Sequence, residues 1–201
     1  GGAVEVVGAD GERLEFVGNR SAGNASVRWE GFTEVCSGVR EYRVELVQDG
    51  QLLWESLAQN ASAMQLPPGV LLSVPDGVEL LAVVHATSHS GLTGNATTSL
   101  RIDRSPPTIR AVYNNEQLQS VLCQVLTAPL RVTWEDITDP ESGIAAISWS
   151  AGQEEGGSDL LPPMRVDGDA GQTTREEFLA AGLLQEGMLV YSTLTAINGA
   201  G

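Results

Sequence analysis

The stretch Ser26–Val39 decides the fold, because a second copy of it lies further along the chain. It reads Ser-Val-Arg-Trp-Glu-Gly-Phe-Thr-Glu-Val-Cys-Ser-Gly-Val. Residues Arg131–Ile144 read Arg-Val-Thr-Trp-Glu-Asp-Ile-Thr-Asp-Pro-Glu-Ser-Gly-Ile and align to it without a gap, so that Trp29 pairs with Trp134. Self-similarity of this kind is typical of a duplicated folding unit. We therefore expect two copies of one domain.

A second pair of matching blocks, Gly77–Gly91 and Gly187–Gly201, lies downstream of the first. The loops between the blocks differ in length, as expected of homologous domains with different surface connections. Within these blocks apolar or small residues recur at every second position, which predicts half-buried strands. The inward positions are Leu80, Ala82, Val84 and Ala86 in the first copy, and Val190, Ser192, Leu194 and Ala196 in the second.

The composition also favours strands over helices. Aromatic residues make up 5 % of the chain, with 23 glycines and 9 prolines, which fits short strands joined by many turns. In each copy a tryptophan, Trp29 or Trp134, shares one strand face with a valine two positions earlier. We expect both indoles to lie in the cores, because a small sandwich needs such large side chains for buried area.

The junction between the copies is the segment 101–110, where Pro106 and Pro107 follow the end of a strand. We place the domains at residues 1–104 and 105–201. Two adjacent prolines stiffen the backbone, so we expect a semi-rigid rod rather than two loosely tethered domains. One segment departs from strand character: Thr174 precedes Glu177 by three residues, which predicts a capped helical turn.

These motifs resemble those of fibronectin type III-like and immunoglobulin-like repeats. The resemblance rests on Trp134, on Asp-Pro-Glu-Ser-Gly-Ile at 139–144 and on Ala-Ile-Asn-Gly-Ala-Gly at 196–201, and it covers most of both copies. It implies an all-β chain of two tandem β-sandwiches. Such repeats are found in large cell-surface and matrix proteins, including the mastigoneme-like surface fibres of green-algal flagella, and the absence of lysine is compatible with that source.

The resemblance also implies features that this chain lacks. The family often has a tyrosine at the places of Leu80 and Val190, where it locks a sandwich corner; Tyr191 is one position away and is expected to face outward. By the family pattern a last strand follows the second block, as residues 95–103 do in the first copy. The second sandwich is therefore expected to be truncated before its last strand, with an open sheet edge.

Glycosylation sequences and cysteines point to a secretory route. Four Asn-x-Ser/Thr acceptors occur, a number above the chance expectation for this composition, and we expect N-linked glycans at Asn19, Asn24, Asn60 and Asn95. Cys36 and Cys123 occupy different places in the two copies. We expect each to form a disulfide with a partner outside this chain; a mutual bridge and two free thiols are the alternatives.

Metal and sugar sites have weak support. Glu135, Asp136, Asp139 and Glu141 are oxygen ligands of the type that calcium prefers, but their spacing fits no known loop, and turn chemistry explains them. His85 and His89 are too far apart on a strand to share one metal. A sugar-binding platform needs exposed aromatics, for which Trp54 and Trp149 are the candidates; the alternative for Trp149, which follows the Ile147 strand position, is that it packs on the opposite face. We expect no metal, no cofactor and no catalytic residues.

The charge restricts the partners. With 26 acidic residues against 11 basic ones the net charge is −15, which disfavours nucleic acids and anionic membranes. No apolar run is long enough to span a bilayer. We therefore predict a non-catalytic structural or adhesive spacer of a large extracellular glycoprotein, in contact with other repeats and neighbouring chains of a surface filament. The alternative is an accessory segment that positions a functional domain of a secreted enzyme or receptor.

Overall fold

The computed structural model describes residues 2–115, 123–166, 173–180 and 182–201. In these ranges the chain is almost entirely β-structure and contains one six-residue helix. It divides into two compact units. The first unit is Gly1–Ser105 with Ala200–Gly201, and the second is Pro106–Gly199.

The first unit packs a three-stranded sheet against a five-stranded sheet. Its elements are β1 (Ala3–Val7), β2 (Phe16–Val17), β3 (Ser26–Glu30), β4 (Val39–Gln48), β5 (Gln51–Ala58), β6 (Ala63–Gln65), α1 (Pro68–Ser73), β7 (Glu79–Ser88) and β8 (Thr93–Ile102). The sheet orders are β1-β3-β6 and β2-β8-β7-β4-β5. Residues from both sheets form one apolar cluster, which makes this unit a sandwich.

Alternation along β7 shows why this sequence forms a two-faced sheet. Leu80, Ala82 and Val84 are fully buried, whereas Leu81 is 42 % exposed on the other face. The adjoining hairpin is closed by Asp49 and Gly50, both at positive φ. That pair of conformations is the tight two-residue turn whose twist matches the twist of the strands, and Asp-Gly is a preferred sequence for it.

The second unit repeats the arrangement with fewer described strands. They are β9 (Thr108–Tyr113), β10 (Leu130–Thr138), β11 (Ile144–Gly152), β12 (Leu161–Arg165), β13 (Thr173–Glu177) and β14 (Tyr191–Asn198). The sheet orders are β13-β10-β9 and β12-β11-β14. Val132 and Trp134 of one sheet share an apolar cluster with Ile147 and Trp149 of the other. The predicted all-β sandwich fold is confirmed.

The predicted helical turn at Thr174 is wrong. Residues Thr173–Glu177 form β13, which pairs antiparallel with β10, so that Leu130 lies opposite Glu177. From Arg175 to Ala180 half-buried and exposed residues alternate at every second position, as on a strand at a sheet edge. A Thr-x-x-Glu cap contributes too little to hold one isolated helical turn against a sheet ladder.

Trp29 and Trp134 occupy the same place in their units. The side chain of Trp29 is 2 % exposed and that of Trp134 is fully buried. The Trp29 ring lies 5.3 Å from the Tyr42 ring, centroid to centroid. Within the described residues the buried N–H groups of both indoles have no hydrogen-bond partner, so packing alone stabilises them.

This packing predicts how the second unit responds to truncation of Trp134. Trp134→Ala is expected to lower the free energy of unfolding by about 3–5 kcal/mol, because it empties a large core volume. Trp134→Phe is expected to cost less than half as much, because it keeps an aromatic ring and loses no hydrogen bond. Denaturant unfolding monitored by circular dichroism measures both losses of unfolding free energy. Trp29→Phe, the equivalent change in the first unit, is the matched control. Equal losses for the Phe and Ala variants would contradict this packing account.

Candidate functional site

The segment between the Trp strand and the next strand forms the same turn in both units. In the first unit Gly38 N–H donates to the Glu34 carbonyl at 3.0 Å, and in the second Gly143 N–H donates to the Asp139 carbonyl at 3.1 Å. Both glycines have a φ of 71°, a conformation that residues with a Cβ rarely adopt. The repeated Ser-Gly pair therefore marks a repeated backbone turn.

The acidic residue at the start of each turn caps backbone N–H groups. The Glu34 carboxylate accepts from Cys36 N–H at 3.1 Å. The Asp139 carboxylate oxygen Oδ1 accepts from Glu141 N–H at 3.2 Å and from Ser142 N–H at 2.9 Å. A short Asp side chain reaches its own turn more closely than Glu does, as in an Asx-turn.

Each turn is also bonded to the loop that follows the late strand of its unit. His89 N–H donates to the Gly38 carbonyl at 3.1 Å, and Gly199 N–H donates to the Gly143 carbonyl at 3.2 Å. These are equivalent positions in the two copies. This joint, which we call the apical joint, links residues 34–38 to 88–92 in the first unit and 139–143 to 198–199 in the second.

The apical joint differs between the units in its side chains. In the second unit the buried Asn198 amide donates to Asp139 Oδ2 at 3.0 Å. In the first unit the equivalent residue is Ser88, whose hydroxyl lies 2.9 Å from the Ser90 hydroxyl and accepts from Leu92 N–H at 3.0 Å. In the second unit the late-strand residue Asn198 thus bonds to the acidic residue of the turn, whereas in the first unit Ser88 bonds within its own loop.

The hydrogen bonds set the charge state of Asp139. The side chain is 8 % exposed, and burial by itself raises the pKa of a carboxyl. The bonds from Ser142 N–H, the Asn198 amide and Glu141 N–H outweigh burial, so that the pKa of Asp139 lies below its ordinary value of 3.8. The ionised form is therefore the one that holds the turn.

The four acidic residues considered for calcium do not form one cluster. Asp136 binds Arg110 Nη1 at 2.9 Å, and Glu135 accepts from the Tyr113 hydroxyl at 3.4 Å. Asp139 and Glu141 do bring carboxylate oxygens within 4.8 Å of each other. A four-ligand loop is not what the structure shows, because two of its members are turned towards β9.

The histidines and tryptophans are also separated. His85 lies on β7 and binds Glu45 Oε2 at 3.1 Å, whereas His89 lies beyond the end of that strand. Trp149 is fully buried on the same face of β11 as Ile147, and the expectation that it packs on the opposite face is wrong. Trp54 is half-buried against the first core. Neither Trp54 nor Trp149 forms an open platform for a sugar ring.

The four glycan acceptors all have exposed side chains on the first unit. Asn19 and Asn24 lie in the turns between β2 and β3, and Asn60 follows β5 at a φ of 55°. Asn95 lies on β8 opposite His85. Cys36 and Cys123 are both exposed and do not bridge each other.

No protein-family model matches the chain, and no curated protein matches it. Three solved structures show a weak likeness. They are a chain of a 1.5-MDa bacterial ice-binding adhesin (14 % identity, TM-score 0.36), the FN1–FN3 domains of chicken CNTN1 (15 %, 0.47) and a Ca²⁺-stabilised adhesin of an Antarctic bacterium (13 %, 0.33). They match 99, 98 and 98 % of this chain, which spans 54, 59 and 48 % of their lengths. The fold assignment rests on the sheets described above.

The capping role of Asp139 predicts a specific acid response. Asp139→Asn is expected to lower the free energy of unfolding of the second unit by about 1–3 kcal/mol at neutral pH, because the charged acceptor is lost. A carboxyl with a lowered folded pKa stabilises fully above its unfolded pKa, and this stabilisation is lost as the pH falls through the folded pKa. The difference between wild type and variant should therefore be constant above about pH 5 and shrink below about pH 4.

Denaturant unfolding at a series of pH values measures this difference. Glu34→Gln is the matched control in the first unit, where the carboxylate caps one N–H group and a smaller loss is expected. A wild-type-minus-variant difference that persists unchanged at pH 2 would show that Asp139 does not hold the turn through its charge.

Proposed function

We propose that the chain is a non-catalytic structural and adhesive spacer of a large extracellular glycoprotein, whose sandwiches act in series within a surface fibre or matrix assembly. The observation that carries this proposal is the apical joint, which is built twice from equivalent residues. A duplicated scaffold that keeps its joints and varies its loops suits a spacer, because each copy adds length while the loops remain available for contacts.

The use of the polar residues supports the same function. Asp139 and Asn198 bind each other inside the second unit, and Glu45 holds both Arg43 and His85 on the outer face of the five-stranded sheet. These polar groups bind other side chains of their own unit. In the described part of the chain no helix is long and apolar enough to cross a membrane.

N-linked glycans are part of the proposal. All four acceptor asparagines are exposed, and they lie in separate places on the first unit. A glycan is bulky and needs water around it, which exposed turns and the outer face of β8 provide. Glycans at these places would keep the first unit solvated and leave the second unit as the surface for contacts with neighbouring chains.

Expression in a secretory eukaryotic host tests the glycans. Replacing Asn19, Asn24, Asn60 and Asn95 by Gln in succession is expected to lower the intact mass in up to four steps. Enzymatic deglycosylation is expected to leave the mass of the bare chain. Asn114→Gln is the matched control, because Asn114 is exposed but lies in no acceptor sequence. A secreted chain with the unmodified mass would refute glycosylation and weaken the extracellular assignment.

Labelling of the native protein tests the spacer function itself. Antibodies against the two units, viewed by electron microscopy on intact cells, are expected to mark a surface fibre or layer at regular intervals. Label confined to a secreted enzyme or receptor, at one copy per molecule, would favour an accessory segment of such a protein instead. Label inside the cell would exclude both functions.

A further inference from the structure

The outer face of the five-stranded sheet in the first unit carries exposed apolar side chains. Leu81 on β7 is 42 % exposed, and Leu52 on β5 is 52 % exposed. Val47 of β4 lies opposite both of them, so that the three side chains form one row across the sheet. Val83, two positions from Leu81 on the same face, is half-buried. Water contact with apolar side chains is unfavourable, and an apolar patch on a protein surface often marks a contact surface.

The charged groups in the middle of this face restrict what can cover it. Glu45 of β4 binds Arg43 Nε at 3.0 Å and His85 Nε2 at 3.1 Å, so both bases are already paired with a carboxylate. Glu45 also lies opposite Glu55 of β5. A second copy of this acidic chain would bring more carboxylates to the same place, where like charges repel. A neutral occupant is therefore the better match.

One glycan acceptor sequence, Asn95-Ala96-Thr97, lies on β8 at the border of this face. Asn95 and Thr97 are exposed on the outer side, whereas Ala96 takes the inner position between them. Asn95 lies opposite His85, and Thr97 lies opposite Val83. Val83 is thus a diagonal neighbour of Asn95, with the α-carbons roughly 7–8 Å apart. A sugar ring on the Asn95 side chain therefore starts beside the apolar patch.

The surroundings of Asn95 leave room for such a ring. Asn95 is the one acceptor of the four that lies on a strand; the others, Asn19, Asn24 and Asn60, lie in turns or bends. The next outer residues of β8 after Asn95 are Thr97 and Ser99, which are short and exposed. A sugar chain can therefore lie low across β8 and reach β7.

We propose that the Asn95 glycan lies along the outer face of the five-stranded sheet, with its first sugar ring over Val83 and its second reaching Leu81. This contact rests on the proposed glycosylation of the first unit. The C–H groups on the faces of N-acetylglucosamine rings are apolar, so the contact removes apolar surface of Val83 and Leu81 from water. The ring hydroxyl groups stay in water at the edges. The glycan thereby closes this face to neighbouring chains.

Hydroxyl-radical footprinting of the 201-residue chain, produced in a secretory eukaryotic host, tests the contact. The chain is compared with its Asn95→Gln variant, and oxidation of single side chains is measured by mass spectrometry. Loss of the glycan is expected to raise the oxidation of Leu81 and Val83 severalfold. Leu72, which is 44 % exposed on α1, is the internal control and is expected to be unchanged. Asn24→Gln, which removes a glycan from the turn before β3, is the matched variant and is expected to leave Leu81 and Val83 protected.

A double-mutant cycle shows whether the sugar and the patch stabilise each other. Asn95→Gln is expected to lower the denaturant midpoint of the first unit, because the apolar contact is lost. The same change is expected to lower the midpoint less in a chain that carries Leu81→Ser and Val83→Thr, since the contact is already missing there. Leu57→Ser is the matched surface control on β5, three strands away from β8, and is expected to keep the full effect of Asn95→Gln.

Intact mass and footprinting together separate two kinds of failure. An Asn95→Gln variant with no loss of glycan mass would show that Asn95 is not modified, and glycosylation at this site would fall together with the contact. A loss of glycan mass with unchanged oxidation of Leu81 and Val83 would leave glycosylation standing and overturn the contact. Concentration-dependent association that protects Leu81 in the Asn95→Gln variant as well would also overturn it, because a second copy would then be the occupant.

Discussion

Burial of one indole between two sheets is the interaction on which each unit depends. Neither sheet can shield both of its faces, so each folds only if it finds an apolar partner layer. With aromatic residues at 5 % of the chain, few side chains are large enough to span the layer. An indole buries about 150–250 Å², which is worth roughly 4–6 kcal/mol at about 25 cal/mol per Å². The strand that carries Trp29 or Trp134 is therefore the one around which the other strands are placed.

The apical joint follows from that constraint. Once the Trp strand is fixed in one sheet, the chain must cross to the other sheet within a few residues. The crossing leaves backbone N–H groups without strand partners, and such groups are costly when buried. Glu34 and Asp139 satisfy them with carboxylate oxygens, and Gly38 and Gly143 supply the positive φ. The acidic residue is needed for the crossing itself, which explains its presence without any chemistry on a substrate.

Strand periodicity and the duplication made much of the fold predictable. The gap-free pairing of Ser26–Val39 with Arg131–Ile144 corresponds to β3 and the start of β4, and to β10 and the start of β11. The apical joint was not predicted in full. Asp139 and Asn198 are 59 residues apart, and their bond depends on a tertiary register that no local pattern contains. A signal was present, because both lie in the two blocks that recur.

Two other interpretations failed for local reasons. The segment 173–177 has a sequence compatible with a helix cap, and only the neighbouring edge of β10 selects the strand. Trp149 follows Ile147 by two positions, which on a strand means the same face; both are buried. A buried indole two positions from a core isoleucine is a packing residue, and the period of two was sufficient to predict that.

The arginines bind carboxylates and carbonyls of their own unit, which limits the contacts that this acidic chain can make. Arg104 binds Asp76 and the carbonyls of Leu72 and Val74, and so ties the segment after α1 to the end of β8. Others pair with single carboxylates at the surface. Such exposed pairs stabilise little. They do occupy the arginines that a polyanion would have to bind. The remaining carboxylates give both units a negative field, so copies repel at long range. Contacts between copies would therefore have to be short-range ones, which act only after the surfaces meet.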